Sequence, residues 1–203
     1  MKNLNVITFV SLFILLTSCA STTIVESWKE PNKEVNIDKL KKVLVVAMFK
    51  TETNNRMAED QMVKLLKNKG IQSYNYLTKN FDKTKVEIIQ NKIKNDGFDG
   101  AVTMRLIDVD KEIVYQLNGV NPFPNNYRDF SNYYYDSSKL YNNTDNYVTT
   151  KKYIIETNVY SIIENKIIWS ALTETTDPKG VDKMSKEVAA VVYKQMIKEG
   201  LIK

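Results

Sequence analysis

Residues 43–49 read Val43-Leu44-Val45-Val46-Ala47-Met48-Phe49, an apolar run without a polar residue. Such a run predicts a central strand of a parallel sheet, because a strand covered on both faces needs apolar side chains on both. Directly after it, Asn54 to Lys69 has apolar residues at helical spacing, and Gly70 is a common helix end. This part of the chain therefore predicts a central strand followed by a helix.

The chain beyond Gly70 predicts a further strand, helix and strand. Ile71 to Leu77 predicts a second strand, and Asp99 to Val109 predicts a third. Between them, Thr84-Lys85-Val86-Glu87 has the spacing of a capping box at the start of a second helix. Because crossovers between parallel strands are right-handed, residues 43–109 predict a parallel βαβαβ core.

The remaining regular segments predict antiparallel additions to this core. Thr149 to Ile163 and Lys166 to Thr175 form a hairpin pattern joined at Glu164-Asn165. Asp182 to Leu201 predicts a closing helix, and Thr23 to Trp28 predicts a short strand at the sheet edge. The predicted fold class is α/β: a single mixed sheet with a parallel βαβαβ core, a C-terminal antiparallel hairpin and about three helices packed on it.

The composition excludes several classes of function. The chain has 203 residues, with 29 Lys plus Arg against 24 Asp plus Glu, no histidine and one cysteine. Lack of histidine excludes histidine-containing catalytic triads and most zinc and haem sites, and a single cysteine excludes structural disulfides. We therefore expect no cofactor and no metal. The lysines alternate with acids and never run longer than two, so nucleic acid is not an expected partner.

The N-terminus has the pattern of an export signal. Lys2 precedes an apolar run, Val6 to Leu16, which is too short to span a bilayer. The following residues, Leu16-Thr17-Ser18-Cys19, resemble the lipobox of bacterial lipoproteins. The resemblance implies that residues 1–18 are cleaved and that Cys19, the lipidated residue, begins the mature chain. The alternatives are an ordinary signal peptide with a free thiol at Cys19, or a short buried helix in place of the signal.

The anchor also predicts a location. Several acyl chains give stable membrane attachment, whereas a single chain is marginal. Ala20 in place of Asp after the cysteine resembles the sorting rule for the outer membrane, and no acidic run follows it. We expect the periplasmic face of the outer membrane, with the cell surface as the alternative. The domain prediction is a lipidated tether and edge strand at 19–42 and one α/β domain at 43–203, with an insertion at about 113–150.

Short motifs between residues 19 and 109, and again at Trp169 to Pro178, carry a wider resemblance. They are Thr23 to Pro31, Lys42 to Phe49, Ala58-Glu59-Asp60, Gly97-Phe98-Asp99-Gly100 and Arg105-Leu106. With the lipobox, they resemble a group of bacterial envelope lipoproteins that has no assigned activity. The fold implied is similar to the small α/β domains of the curli-secretion lipoprotein and of the amino-terminal part of the Tol translocation protein. The resemblance implies no catalytic residue.

One candidate site lies at the end of the third predicted strand. Asp108, Asp110 and Glu112 are two residues apart, so their carboxylates are predicted to share one face of the strand. Such a cluster suits a hard cation or glycosidase chemistry. Arg105 and Lys111 are close enough in sequence to neutralise it. A solvated strand end is therefore the favoured interpretation, and a ligand or ion site is the alternative.

A second candidate is the insertion at 113–150, interpreted as a long loop crowded with Tyr and Asn. Tyrosine offers flat apolar area with a hydroxyl group, and asparagine offers adaptable hydrogen bonds, so such segments suit recognition. The alternative is a flap with partly buried rings. The candidate recognition residues are Tyr127, Phe130, Tyr133, Tyr134, Tyr135, Tyr141 and Tyr147.

These patterns together predict a lipid-anchored accessory or scaffold protein rather than an enzyme. Its partners would be the membrane, through the lipid on Cys19, and an envelope protein. The alternatives are a periplasmic glycan hydrolase and a ligand- or ion-binding protein, each using Asp108, Asp110 or Glu112.

Overall fold

The computed structural model describes residues 21–31, 40–77, 86–115, 129–142 and 147–202. The predictions of a signal peptide and of lipidation at Cys19 lie outside the described residues, as does the predicted helix cap at Thr84.

The described chain forms six strands and five α-helices. The strands are β1 (Thr22–Lys29), β2 (Val43–Met48), β3 (Gly70–Gln72), β4 (Gly100–Tyr115), β5 (Tyr147–Ser161) and β6 (Lys166–Thr176). The helices are α1 (Glu52–Leu66), α2 (Ser73–Tyr76), α3 (Val86–Asn95), α4 (Phe130–Asn142) and α5 (Val181–Lys198), with a 3-10 turn at Lys67–Lys69.

All six strands belong to one sheet in the order β1-β6-β5-β4-β2-β3. The strand β2 pairs in parallel with β3 on one side and with β4 on the other. The pairs β4–β5, β5–β6 and β6–β1 are antiparallel. The predicted α/β class, with its parallel βαβαβ core, C-terminal hairpin and edge strand, is confirmed.

Helices cover the two faces of the sheet unequally. On one face, α1 and α5 bury Met62, Val192 and Met196 against the strands, around a fully buried Trp169. On the other face, α3 buries Ile93 against Leu44 and Phe98 near β2. Within the described residues, no helix covers this second face over β1 and β6.

Three segments differ from the sequence predictions. The second strand, predicted to reach Leu77, ends at Gln72 and continues as the short helix α2. The third strand continues past Val109 to Tyr115, because β5 pairs with it along its whole length. Part of the predicted insertion is helix α4, whose first amides bond to the Asp129 carboxylate.

Glu187 of α5 and Glu199, directly after this helix, hold β1 in place. Near the start of β1, Glu187 Oε2 accepts hydrogen bonds from Ser21 Oγ at 2.8 Å and Thr22 Oγ1 at 3.1 Å. Near its end, Glu199 accepts from Ser27 Oγ at 2.5 Å and from Trp169 Nε1 at 2.5 Å. The edge strand is therefore bonded to β6 through its backbone and to α5 through its side chains.

Burial alone would raise the pKa values of both glutamates, but these hydrogen bonds outweigh it. With the charges of Lys183 and Lys29, they lower the pKa of Glu187 and the pKa of Glu199 below the ordinary value of 4.5. Carboxylates with lowered pKa values stabilise the folded state at neutral pH, and that contribution is lost on acidification. The attachment of β1 is therefore sensitive to acid.

We predict that Glu199→Gln lowers the free energy of unfolding at pH 7 and makes it less dependent on pH. The wild-type protein should lose the contribution of Glu199 as pH falls below about 4.5 and through the lowered pKa, whereas the variant has no carboxylate to protonate. Urea unfolding at a series of pH values measures this difference. Glu87→Gln, at an exposed position of α3, is the control. Parallel curves for wild type and Glu199→Gln would contradict the prediction.

Candidate functional site

A cavity of about 440 Å³ lies at the carboxyl end of β2. The chain joins β3 to one side of β2 and β4 to the other, and ligand crevices in open α/β sheets occur at such switch points. The walls come from the end of β2, the first half of α1 and helix α2. The lining residues are Val46, Ala47, Met48, Glu52, Asn55, Arg56, Glu59, Ser73, Tyr74 and Leu77.

Glu59 forms the floor of this cavity and is 1% exposed. Its Oε1 accepts hydrogen bonds from the Ala47 amide at 2.9 Å and from Ser73 Oγ at 2.7 Å. Its Oε2 accepts from the Tyr74 amide at 3.3 Å. A buried carboxylate is costly unless it is hydrogen-bonded, and these three donors meet that requirement.

The same contacts explain the early end of β3. The last paired residue of β2 on this side is Val45, so the amides of Ala47 and Phe49 have no neighbouring strand there. The carboxylate of Glu59 takes the first amide, and Asn55 Oδ1, one turn earlier on α1, takes the second at 2.6 Å. Two side chains of α1 thus replace a strand, and the space left beside them is the cavity.

Polar groups at the mouth of the cavity bond to one another. Tyr74 Oη donates to Asp60 Oδ1 at 2.7 Å, and this bond is the main reason that the pKa of Tyr74 is raised. The Arg56 guanidinium lies 4.9 Å from the centre of the Tyr74 ring and pairs with Glu52 at 2.5 Å. The internal bonding at both floor and mouth favours a structural role for these residues.

Glu59 was not among the site residues predicted from the sequence. A usable signal was present, because Glu59 lies on the same helical face as Met62 and Leu66, which are buried. An acid on the apolar face of an amphipathic helix needs a buried partner.

Asp108, Asp110 and Glu112 lie on one face of β4, as their spacing predicts. Their cross-strand neighbours on β5 are Ile154, Lys152 and Thr150. Because a bulge at Ile107 interrupts the alternation, Arg105 lies on the same face as Asp108: Arg105 pairs with Glu156, and Asp108 pairs with Ile154.

Each of these carboxylates has a local partner. Asp108 and Asp110 each accept a hydrogen bond at 2.7 Å from the amide that follows, and Glu112 pairs with Lys152 Nζ at 3.1 Å. No group of three acids, cysteines or histidines within the described chain could hold a metal ion. The hydrolase and ion-binding alternatives stay predictions.

The cluster belongs to a larger surface, here named the acidic sheet face. It is the face of β1, β6, β5 and β4 that α1 and α5 do not cover. Strand register places six carboxylates on it, against two cations. The carboxylates are Glu26, Asp108, Asp110, Glu112, Glu156 and Glu174, and the cations are Arg105 and Lys152.

The acidic sheet face carries a lysine with a raised pKa and an exposed tryptophan. The pKa of Lys152 is raised, first by its hydrogen bond to Glu112 and then by the negative charges of Glu112, Glu174 and Asp110. Trp28 is 41% exposed, beside a pocket of about 200 Å³ that Glu26 and Glu156 also line. An exposed indole among carboxylates suits contact with cationic side chains.

The aromatic candidates occupy a separate extension, here named the arm. It consists of a two-stranded ribbon, residues 111–115 of β4 with 147–151 of β5, and helix α4. The ribbon extends past the last pair that β5 makes with β6, Lys152 with Thr176. Tyr127 and the side chain of Tyr141 lie outside the described residues.

The described aromatic side chains of the arm face solvent. Phe130 is 79% exposed, and Tyr133, Tyr134, Tyr135 and Tyr147 are also exposed. Phe130 and Tyr134 stack with ring centres 6.0 Å apart, and Lys139 Nζ lies 3.8 Å from the centre of the Tyr135 ring. The arm therefore presents an apolar surface that the described domain does not cover.

No helix among the described residues is long and apolar enough to cross a membrane. No family model matches the chain, and no curated protein matches it. Among solved structures, the PelC dodecamer from Paraburkholderia phytofirmans is 9% identical, with 85% of this chain and 95% of that chain covered and a TM-score of 0.43. The lipoprotein GNA1162 from Neisseria meningitidis is 9% identical, with 77% and 98% covered and a TM-score of 0.38. These are distant likenesses in fold, and no function is taken from them.

We predict that Glu59→Ala lowers the free energy of unfolding by about 2–5 kcal/mol, because it leaves the Ala47 amide and the Ser73 hydroxyl without an acceptor. The matched control is Glu52→Ala on the same helix, whose exposed pairing with Arg56 is worth about 0–1 kcal/mol. Urea unfolding of both variants measures the difference. Equal effects would show that Glu59 is not an essential acceptor.

Proposed function

We propose that this protein is a lipid-anchored, non-enzymatic accessory protein on the periplasmic face of the outer membrane, where it binds an envelope protein with a basic surface. The observation that carries the proposal is the acidic sheet face, which no described helix covers over β1 and β6. The chain as a whole has a formal net charge of +5. A concentrated negative surface on a positive protein suits selective attraction of a cationic partner.

The anchor supports the location. The run Leu16-Thr17-Ser18-Cys19 follows a short apolar segment, and the cysteine is the single one in the sequence. Lipid on Cys19 would hold the domain at the membrane without a spanning helix.

The bonding of the acids supports a non-enzymatic role. A general acid or base must present its carboxyl group to a substrate. Glu59 is instead buried beneath three donors, and Glu112 is paired with Lys152. On the acidic sheet face, Glu26 is exposed beside Trp28 and opposite Leu172, with no short ion pair among the described contacts.

We predict that Cys19→Ser abolishes lipid attachment and moves the protein from the membrane fraction to the soluble fraction. Mass spectrometry of the mature N-terminus and fractionation of the envelope measure both changes. Ser18→Ala keeps a small residue before the cysteine and is the control. An unmodified Cys19 in the wild-type protein would overturn the lipid anchor.

We predict that a photo-crosslinking amino acid at position 28 captures an envelope protein in intact cells, and that Glu26→Lys abolishes the adduct. The charge reversal would repel a cationic partner at the same surface. Two controls are matched to these changes: the crosslinker at exposed position 163, and Glu87→Lys on α3. Adducts that survive Glu26→Lys, or that form equally at position 163, would contradict binding through the acidic sheet face.

A further inference from the structure

The N-terminus and the arm leave the domain at the same end of the sheet. Thr22, the first residue of β1, pairs with Thr175, and Thr175 pairs with Tyr153. The strands β1 and β5 are both antiparallel to β6, so they run in the same direction. The residues of β5 that precede Tyr153 therefore extend past the same end of the sheet as the residues that precede Thr22. The ribbon of the arm thus points toward the side from which the lipid would emerge.

The two extensions differ in reach. Cys19 is three residues before Thr22, a segment that spans at most about 11 Å when fully extended. Tyr147 is six residues before Tyr153, so at about 3.4 Å per residue the ribbon tip lies about 20 Å beyond the level of Thr22. With the strands perpendicular to a bilayer, a lipid on Cys19 would therefore bring the ribbon tip to the bilayer surface.

Helix α4 is connected closely to this tip. Four residues separate Asn142 from Tyr147, so the end of α4 lies within about 18 Å of the ribbon. The C-terminal end of α4 is thereby kept near the ribbon, at the end of the sheet where the chain leads back to Cys19.

The chemistry of the arm suits the headgroup region of a bilayer. Residues 113–115 and 147–150 carry no charge, and Ile113 at the tip is 72% exposed. Lys111, Lys151 and Lys152 flank this neutral tip, together with Glu112, which pairs with Lys152. Tyrosine rings favour the membrane interface, and lysines favour its anionic headgroups. Residues 113–150 contain five charged residues among 38, half the 26% of the whole chain.

We infer that the arm is a second membrane contact: Ile113, Tyr147 and the exposed aromatic residues of α4 bind the lipid headgroup region beside the acylated Cys19. This inference rests on the lipid anchor of the proposed function. The arm then binds a lipid surface, and the acidic sheet face remains available to the protein partner.

The test uses single cysteines as labelling sites, because acylation consumes Cys19, the one native cysteine. Ile113→Cys, Tyr134→Cys and Tyr147→Cys are made one at a time in the full-length acylated protein. Each carries an environment-sensitive fluorophore and is reconstituted into vesicles of phosphatidylethanolamine and phosphatidylglycerol. The matched control is Ile163→Cys, which is 76% exposed at the opposite end of the β5–β6 hairpin.

We expect the emission at positions 113, 134 and 147 to shift to shorter wavelength and to be quenched by spin-labelled lipid, while position 163 keeps an aqueous spectrum. Aqueous spectra at the three arm positions in protein that remains bound to vesicles would overturn this inference and leave the lipid anchor intact. Protein that does not remain with vesicles would overturn both. Shielding of the arm in native envelopes but not in pure lipid vesicles would identify a protein as its occupant and would also overturn the inference.

Discussion

The pairing of β1 with β6, which begins at Thr22, fixes the position of the N-terminal segment relative to the rest of the sheet. Backbone hydrogen bonds to β6 and the carboxylates of Glu187 and Glu199 hold this strand along its whole length. An edge strand with so many partners has little freedom to detach at neutral pH. Within the segment predicted as a tether and edge strand, the strand is Thr22–Lys29, so only Cys19 to Ser21 would link the proposed acyl anchor to the sheet.

The end of β2 illustrates how a sheet edge becomes a cavity. A longer β3 would have filled the space beside Ala47 and Phe49 with backbone. Instead, α1 supplies Glu59 and Asn55, whose single acceptor atoms satisfy the amides but occupy less volume than a strand. The cavity at this switch point is thus a direct consequence of replacing strand pairing by side-chain acceptors, and its location alone does not make it a ligand site.

The sequence predicted the structure correctly where a single local periodicity determined it. The apolar run at 43–49 and the alternation in β5 predicted the strands, and the two-residue period placed Asp108, Asp110 and Glu112 on one face. Prediction failed where a non-local contact decided the outcome. The bulge at Ile107 depends on pairing with β5, and the end of β3 at Gln72 depends on Glu59, which is more than ten residues away in sequence. The acid on the apolar face of α1 indicates a buried partner but does not identify Ser73 as that partner.

The charge distribution allows the two proposed contacts to coexist. An anionic leaflet attracts Lys111 and Lys151 at the base of the ribbon, which pair on the opposite face, and repels the carboxylates of the acidic sheet face. Strand direction separates the two surfaces, because the ribbon continues along the strands from one end of the sheet, whereas side chains of the acidic sheet face stand roughly perpendicular to it. A domain bound to lipid through both proposed contacts would therefore hold the acidic sheet face roughly perpendicular to the membrane. That face would then point toward other molecules on the same membrane. A basic protein held at the same membrane would meet that face without having to displace lipid from it.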